Sequence, residues 1–369
     1  MSQFKITQVS PYFDSHEKKQ VLDVLASGWI TEGPKSKEFV ESIQQITKAK
    51  YAVLAPNGTL ALYVALMALG ITKGDEVIVP DFTFIASANS IYLTGAAPVF
   101  VDVNSDDLNI NPVLVEKAIT KRTRAIMPVH IYGQGADMDK LMQIAKKHNL
   151  LVIEDAAQVL GVHYKKKHLG TFGDMGCISF FADKSITTGG EGGIILTNTK
   201  AYYENLLYFR NQGRLHSGTF VHPQIGYNFR MTDLQSAVGL GQLAKFKKIA
   251  QRKVTNDLLY KKLLKDVPQV KFVERNFDSE FIPFRSNVLV ENLENLLVYL
   301  ESKGIQTRRM FYPLHSQPCY KFLKTSDKDY PNSINAYNHG LSLPVHYHLK
   351  TSDIHYICQV IKDFYASVH

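Results

Sequence analysis

From residue 51 the chain alternates short β-branched runs with helical stretches, and no other feature restricts its fold as much. YAVLA is followed by a helix near 58–70, EVIVP by one near 83–93, PVFVDV by one near 111–120 and TRAIMPVH by one near 136–148, after which comes LLVIED. Strands and helices in alternation, with the strands apolar along most of their length, predict an α/β fold: a mostly parallel sheet covered on both faces. In such sheets ligands lie beyond the carboxyl ends of the strands, so the residues just after each run are the first to inspect.

The alternation stops after GGIILTN near 193–198. Helical periodicity then covers 199–212 and 231–265. The remainder mixes strand-like pieces, VKFVE and FIPFRSNVLV, with a helix near 291–303 and a closing helix near 351–366. A chain of 369 residues exceeds the size at which a single core stops growing. A large domain over residues 1–250, with an N-terminal segment, and a smaller α+β domain over residues 251–369 are therefore expected.

Hydrophobic residues make up 45% and charged residues 21% of the chain, which fits an ordinary globular protein. No apolar run reaches the length of a membrane span, so no membrane partner is expected. The opening MSQFKITQVSPYFD lacks a basic flank leading into an apolar stretch, and a cytoplasmic location is the expectation. Cys177, Cys319 and Cys358 are too dispersed for a disulfide framework or a thiolate metal cage. Each reads as a small buried hydrophobe, and no metal site is expected. The net charge of +8 raises the question of nucleic acid. The basic clusters at Lys121–Arg124, Lys165–Lys167 and Lys245–Lys253 contain few aromatics, however, and read as solvated helix faces or loops. Phosphorylated small molecules account for the excess equally well.

Several strand ends carry candidate chemistry. Asn57, Gly58 and Thr59 follow YAVLAP and open a predicted helix, where free backbone N–H groups and the helix dipole favour an anion; the same triplet is also an ordinary turn and cap. Asp155 closes LLVIE and precedes Ala156, Ala157 and Gln158, which leave room for a flat ring; alone, it reads better as a helix cap. Phe84 follows EVIVP and suits either core packing or stacking on an aromatic ring. Lys184 lies between the apolar run containing Ser179, Phe180 and Phe181 and a loop with Gly189, Gly190, Gly192 and Gly193, residues that accept unusual backbone conformations. The combination is more telling than any member. A lysine to form an imine and an acid to keep a ring nitrogen protonated are what pyridoxal phosphate requires of a protein.

Together these segments resemble the sugar aminotransferases of the DegT/DnrJ/EryC1/StrS group, within the fold type I pyridoxal-phosphate enzymes. The resemblance runs from SGWITEGPKSKEFV to GLSLPVHYHL through APNGTLAL, VPDFTFIASANSI, VHIYGQ, VIEDAAQ, SFFADKSITTGGEGG and GYNFRMTDLQSAVG. It implies a large domain with a mixed, mostly parallel sheet and a smaller C-terminal α+β domain. It also implies that Lys184 forms the imine, Asp155 pairs with the pyridinium nitrogen and Gln158 bonds near the ring hydroxyl. Gly58, Thr59 and Ser179 would hold the phosphate, Phe84 would stack on the ring, and Asn228 would reach the phosphate of a neighbouring subunit, so a homodimer with shared sites is implied.

SFFADKSITTGGEGG and TRRMFYPLHSQP at 307–318 look most like the perosamine synthase branch, which aminates C4 of GDP-4-keto-6-deoxymannose for surface polysaccharide. One glycine more than in that branch separates the lysine from GEGG, a spacing seen in other branches. By the same resemblance Trp29 and His315 would contact substrate. The implied reaction moves an amino group from glutamate to a keto sugar through pyridoxamine phosphate. Other nucleotide-linked or free keto sugars, a pyridoxamine-dependent sugar dehydratase and a non-catalytic sugar-nucleotide binder are the alternatives. Relatives that act as dehydratases carry histidine at the imine position, which Lys184 argues against.

Overall fold

The computed structural model describes residues 4–214, 218 and 220–367. Seven strands form the main sheet: β1 (Tyr51–Ala55), β2 (Glu76–Pro80), β3 (Ala97–Val101), β4 (Thr123–Ile126), β5 (Leu151–Asp155), β6 (Met175–Ser179) and β7 (Gly193–Thr197). Their spatial order is β1-β7-β6-β5-β4-β2-β3. β7 alone runs opposite to the other six strands, so the sheet is mixed but mostly parallel, as expected.

Period-two alternation divides the strand residues between two cores. Leu54, Ile78, Ile126, Val152, Ile178 and Ile194 pack on one face, whereas Val53, Val77, Ala125, Ile153, Cys177 and Ile195 pack on the other. Both sets are buried because helices cover both faces: α1 (Ser15–Ser27), α2 (Pro34–Thr47), α3 (Gly58–Ala68), α4 (Ala86–Leu93), α5 (Pro112–Lys117), α6 (Met138–His148), α7 (Lys200–Arg210) and α8 (Asp233–Leu243). Helix α3 is apolar nearly all round and buries Ala61, Leu62, Val64, Ala65, Leu66 and Ala68, the pattern of a helix sunk into a core.

Helix α9 (Phe246–Leu264) leads to a four-stranded antiparallel sheet of β8 (Val270–Phe272), β9 (Ser286–Val290), β10 (Arg308–Arg309) and β11 (Gly340–Leu343), ordered β8-β9-β11-β10. It packs with α10 (Leu293–Ser302), α11 (Pro331–His339) and α12 (Thr351–Ser367). The boundary expected at residue 250 falls inside α9, which runs on without a break. Ile6 bridges to Ile305 and is buried in the core of this smaller unit, so the chain's first described residues join it.

Two expectations about surface groups are corrected. Cys177 and Cys358 are buried, but Cys319 is exposed, on a short 3-10 turn over Pro318–Leu323 that buries only Tyr320. Within the cluster Lys245–Lys253, Lys245 and Lys253 are buried rather than solvated, because helical periodicity turns these two toward the interior. Lys245 there pairs with Glu17 and Asp14.

Candidate active site

The carboxyl edge of the parallel strands opens into a cavity of about 480 Å³. The ends of β1, β2, β5 and β6 reach it, and so do residues of the smaller unit: Phe284, Arg285, Arg308 and Phe311. Gly58, Thr59, Phe84, Asp155, Gln158, Ser179 and Lys184, seven of the residues singled out in the sequence, line this one space.

At one end of the cavity, Asn57 caps α3 by accepting a hydrogen bond from Leu60 N at 2.9 Å. The N–H groups of Gly58 and Thr59 lie at the open helix start, where the dipole adds positive character. A Cβ on Gly58 would lie 2.9 Å from Ser179 Cβ, and one on Gly193 would lie 2.7 Å from Asn57 O. Glycine at both positions lets the helix start close onto β6 and β7. Two backbone N–H groups and the Ser179 hydroxyl therefore stand together at this end of the cavity, a set of donors suited to an anion.

Asp155 ends β5 and is 6% exposed. No helix follows it, so it caps none; Oδ1 accepts from Ala157 N at 3.1 Å and Oδ2 from Ser87 Oγ at 2.7 Å. Burial raises its carboxyl above the ordinary value, opposed by the Ser87 and Ala157 hydrogen bonds and by the charge of Lys184. Gln158 Oε1 accepts from Tyr132 N at 2.6 Å, which leaves its amide nitrogen as the free donor. Phe84 is 57% exposed, so core packing is not its role; its ring stands in the cavity wall, 6.1 Å from that of Phe311.

Lys184 follows β6 in a turn closed by its own N–H to Phe181 O. The glycine-rich loop folds back through Ala182 N to Gly190 O, with Gly189 and Gly190 at φ of 93° and 130°, where a Cβ would be strained. The side chain keeps 15% of its surface accessible, and its Nζ lies 3.3 Å from Asp183 Oδ1 and 4.2 Å from the Phe284 ring centre. Burial lowers the proton affinity of the amine, against the pull of Asp183 and Asp155. It is not the solvent-facing lysine that the residue alone would suggest.

Two expected site residues lie outside this cavity, and a third was expected to serve the site of a neighbouring copy. His315 is buried, with Nδ1 2.7 Å from Asp81 Oδ2 and Nε2 3.1 Å from Asp327 Oδ1, and its ring stacks on Tyr330 at 4.3 Å. It braces the smaller unit against the end of β2 and does not line the cavity. Trp29 is 55% exposed, donates to Glu32 O and is also outside the cavity. Asn228 accepts from Arg230 Nε and does not line the cavity of its own chain. Conversely, Ser87, Asp183, Arg285 and Arg308 belong to the site and were missed. Ser87 sits one helical turn beyond Thr83 and was within reach of the strand-end argument; the arginines come from a distant segment and leave no local signal.

The model of the DegT/DnrJ/EryC1/StrS aminotransferase family matches residues 11–362. The chain belongs to that family. This aminotransferase is 39% identical to the GDP-perosamine synthase of Escherichia coli O157:H7, over 96% of its own length and 97% of the relative's. It is 37% identical to that of Vibrio cholerae, over 97% and 98%. Among solved structures it matches Streptomyces venezuelae DesV in complex with a ketimine intermediate, with a TM-score of 0.91, 32% identity, and 95% and 94% of the two chains covered. It also matches the PLP-form of Spr1654 from Streptococcus pneumoniae, with a TM-score of 0.93 and 28% identity over 99% of each chain. Among the described residues, no helix is long and apolar enough to cross a membrane, and no cluster of side chains has metal-ligand character.

Proposed function

We propose that this sugar aminotransferase transfers an amino group from glutamate to C4 of GDP-4-keto-6-deoxymannose. Its cofactor is pyridoxal phosphate. The observation that carries the reading is a single cavity holding, in order, an anion seat at the start of α3, a buried carboxylate and a part-desolvated amine. These residues fit a flat phosphorylated pyridine: the missing Cβ of Gly58 lets the Ser179 hydroxyl approach the helix start at the anion seat, and the exposed face of Phe84 offers a stacking surface.

In this reading Gly58 N, Thr59 N and Ser179 Oγ bind the phosphate, and Lys184 Nζ holds the aldehyde carbon. When bound, the cofactor supplies an electron sink that stabilises negative charge on the carbon losing its proton. Asp155, pinned through both oxygens by Ser87 and Ala157, keeps a proton on the ring nitrogen. Gln158 donates from its amide nitrogen to the ring hydroxyl, and Phe84 orients the ring. Once free of the aldehyde, Lys184 Nζ, its basicity reduced by burial, would accept the proton lost by the glutamate α-carbon in one half-reaction and deliver one to C4 of the sugar in the other, acid–base work worth roughly 10²–10⁴ in rate. Asn228 serves the site of a second copy, in a homodimer. The substrate assignment is supported by the identity to perosamine synthases.

The test is a panel of GDP-, UDP- and dTDP-linked 4-keto sugars incubated with glutamate and followed by mass spectrometry. The proposal expects amination of the GDP-linked 4-keto-6-deoxymannose, one 2-oxoglutarate per product, and loss of both in Lys184→Ala. Preferential turnover of another sugar would replace the substrate; loss of sugar oxygen without amination would indicate a dehydratase, and cofactor binding without turnover a silent binder.

A further inference from the structure

Lys184 also lines a second, much smaller cavity of about 40 Å³, on the side of α9 and the N-terminal segment. Its other polar lining includes Asp183, Arg285, Lys253 and His346. Lys253 projects from α9, is 5% exposed and forms no ion pair or hydrogen bond among the described residues. Such a lysine is unusual, since burying an ammonium without a partner is costly.

The charges around it are out of balance. Asp183 is the one carboxylate in this lining, facing three cationic groups. Its Oδ2 accepts from Arg285 Nη2 at 3.0 Å, and its Oδ1 lies 3.3 Å from Lys184 Nζ in an ion pair without a well-aligned hydrogen bond. The Phe284 ring gathers the same three groups, with Lys184 Nζ at 4.2 Å, the Arg285 guanidinium at 4.8 Å and Lys253 Nζ at 5.9 Å from its centre. His346 gives its Nε2 proton to Thr7 O and leaves Nδ1 as a buried acceptor, so it is neutral and adds no charge. On the cofactor side, Asp155 and Glu191 face Lys184. One amine thus pairs with Asp183 Oδ1, which lacks a hydrogen bond, and a second, unpaired one stands in the same lining.

We propose that Lys253 is the reserve cation of this site, a positioning residue that takes a proton from solvent whenever Lys184 gives up its ammonium charge, and so keeps a cation facing Asp183 Oδ1 while Arg285 holds Oδ2. This rests on the reading that Lys184 is the residue engaged by the cofactor. The direction follows from the surroundings: burial lowers the Lys253 amine to about 7, Asp183 raises it, and the positive charges of Lys184 and Arg285 lower it further. Removing the Lys184 charge removes one of the repulsions that keep Lys253 neutral. Asp183 keeps Arg285 on Oδ2 throughout; a second amine able to hold the proton means that Oδ1, which has no hydrogen bond of its own, still faces a cation.

The experiment uses the full-length chain with ¹³C-labelled lysine, in which the Lys253 signal is assigned by its disappearance in Lys253→Met and titrated with pH. It needs no turnover. In the cofactor-free protein the midpoint is expected near 7. In Lys184→Met it is expected to rise by about one pH unit or more, a tenfold gain in proton affinity. The same midpoint in both proteins overturns the proposal. Should Lys253→Met fail to fold, Lys253→Arg supplies the assignment. Calorimetry of pyridoxal phosphate binding in two buffers of different ionisation enthalpy then counts protons taken up. About one proton more is expected in the parent than in Lys253→Arg, whose guanidinium is already charged; equal counts overturn the idea. Failure of the cofactor reading itself would show separately, as cofactor binding that is unaltered in Lys184→Met.

Discussion

Gly58 and Ser179 approach so closely that a Cβ on the glycine would sit 2.9 Å from Ser179 Cβ and 3.1 Å from its Oγ. This contact holds the start of α3 against the end of β6 and gathers the donors assigned to the phosphate. Gly58→Ala should therefore cost about 1–3 kcal/mol through overpacking. It should also shrink the rise in Tm that pyridoxal phosphate produces, because a ligand that binds the folded chain more weakly stabilises it less. Thermal unfolding with and without cofactor checks this, and an undiminished rise would place the phosphate elsewhere.

Asp155 supplies a case in which loss of activity and gain of stability are expected together. Its carboxyl is raised by burial, so in the cofactor-free chain it binds a proton more tightly folded than unfolded. That contribution is complete below the ordinary value of 3.8 and is lost as pH rises through the folded value. Asp155→Asn keeps one acceptor oxygen for Ala157 N, donates from its amide nitrogen to Ser87 Oγ in place of the second oxygen, and has no charge to bury. The variant should be at least as stable as the parent near neutral pH, while turnover falls by about 10²-fold or more. Denaturant unfolding beside turnover decides the matter: a variant that loses both would point to a structural role.

His168 makes the chain sensitive to acid. It is 2% exposed, accepts from Gly161 N at 2.8 Å and donates to Leu169 O, and burial lowers it to about 4. Its stabilising contribution is complete above the unfolded value of 6.5 and is lost as pH falls toward 4, by about 3 kcal/mol in all. His346, lowered in the same way, adds to the loss over the same window. Urea midpoints taken across this range should fall less steeply in His168→Gln than in the parent. Parallel slopes would mean that His168 titrates normally.

Sharing of the site between subunits can be tested with two inactive chains. Asn228 is absent from its own chain's cavity, so if it serves a partner, a heterodimer of Asn228→Ala with Lys184→Ala contains one intact site. Co-expression with two affinity tags should then recover activity that neither homodimer shows. An inactive heterodimer would return Asn228 to its own chain.

How legible the site was depended on how local each interaction is. Asp155, Phe84, Gly58, Ser179 and Lys184 stand at or just after strand ends, where the order of apolar runs and turn residues already dictates that they meet at one edge. Their roles were read from the pairing of residue types, and the family motifs added the assignments. His315 and Trp29 fall outside this cavity for the opposite reason: whether a loop side chain faces a cavity depends on what packs against it. For His315 that is Asp81, more than two hundred residues earlier in the chain.

The sequence by itself determined the alternating α/β layout and the family, because these follow from periodic burial and from contiguous motifs. Only the tertiary structure decided that Phe284, Arg285, Arg308 and Lys253 close around Lys184, that Ser87 pins Asp155, and that Ile6 belongs with the C-terminal core. Those relationships are contacts between segments far apart in the chain. Their cause lies in packing, hydrogen-bond geometry and the removal of charge from water, and none of these leaves a period or a spacing in the order of residues.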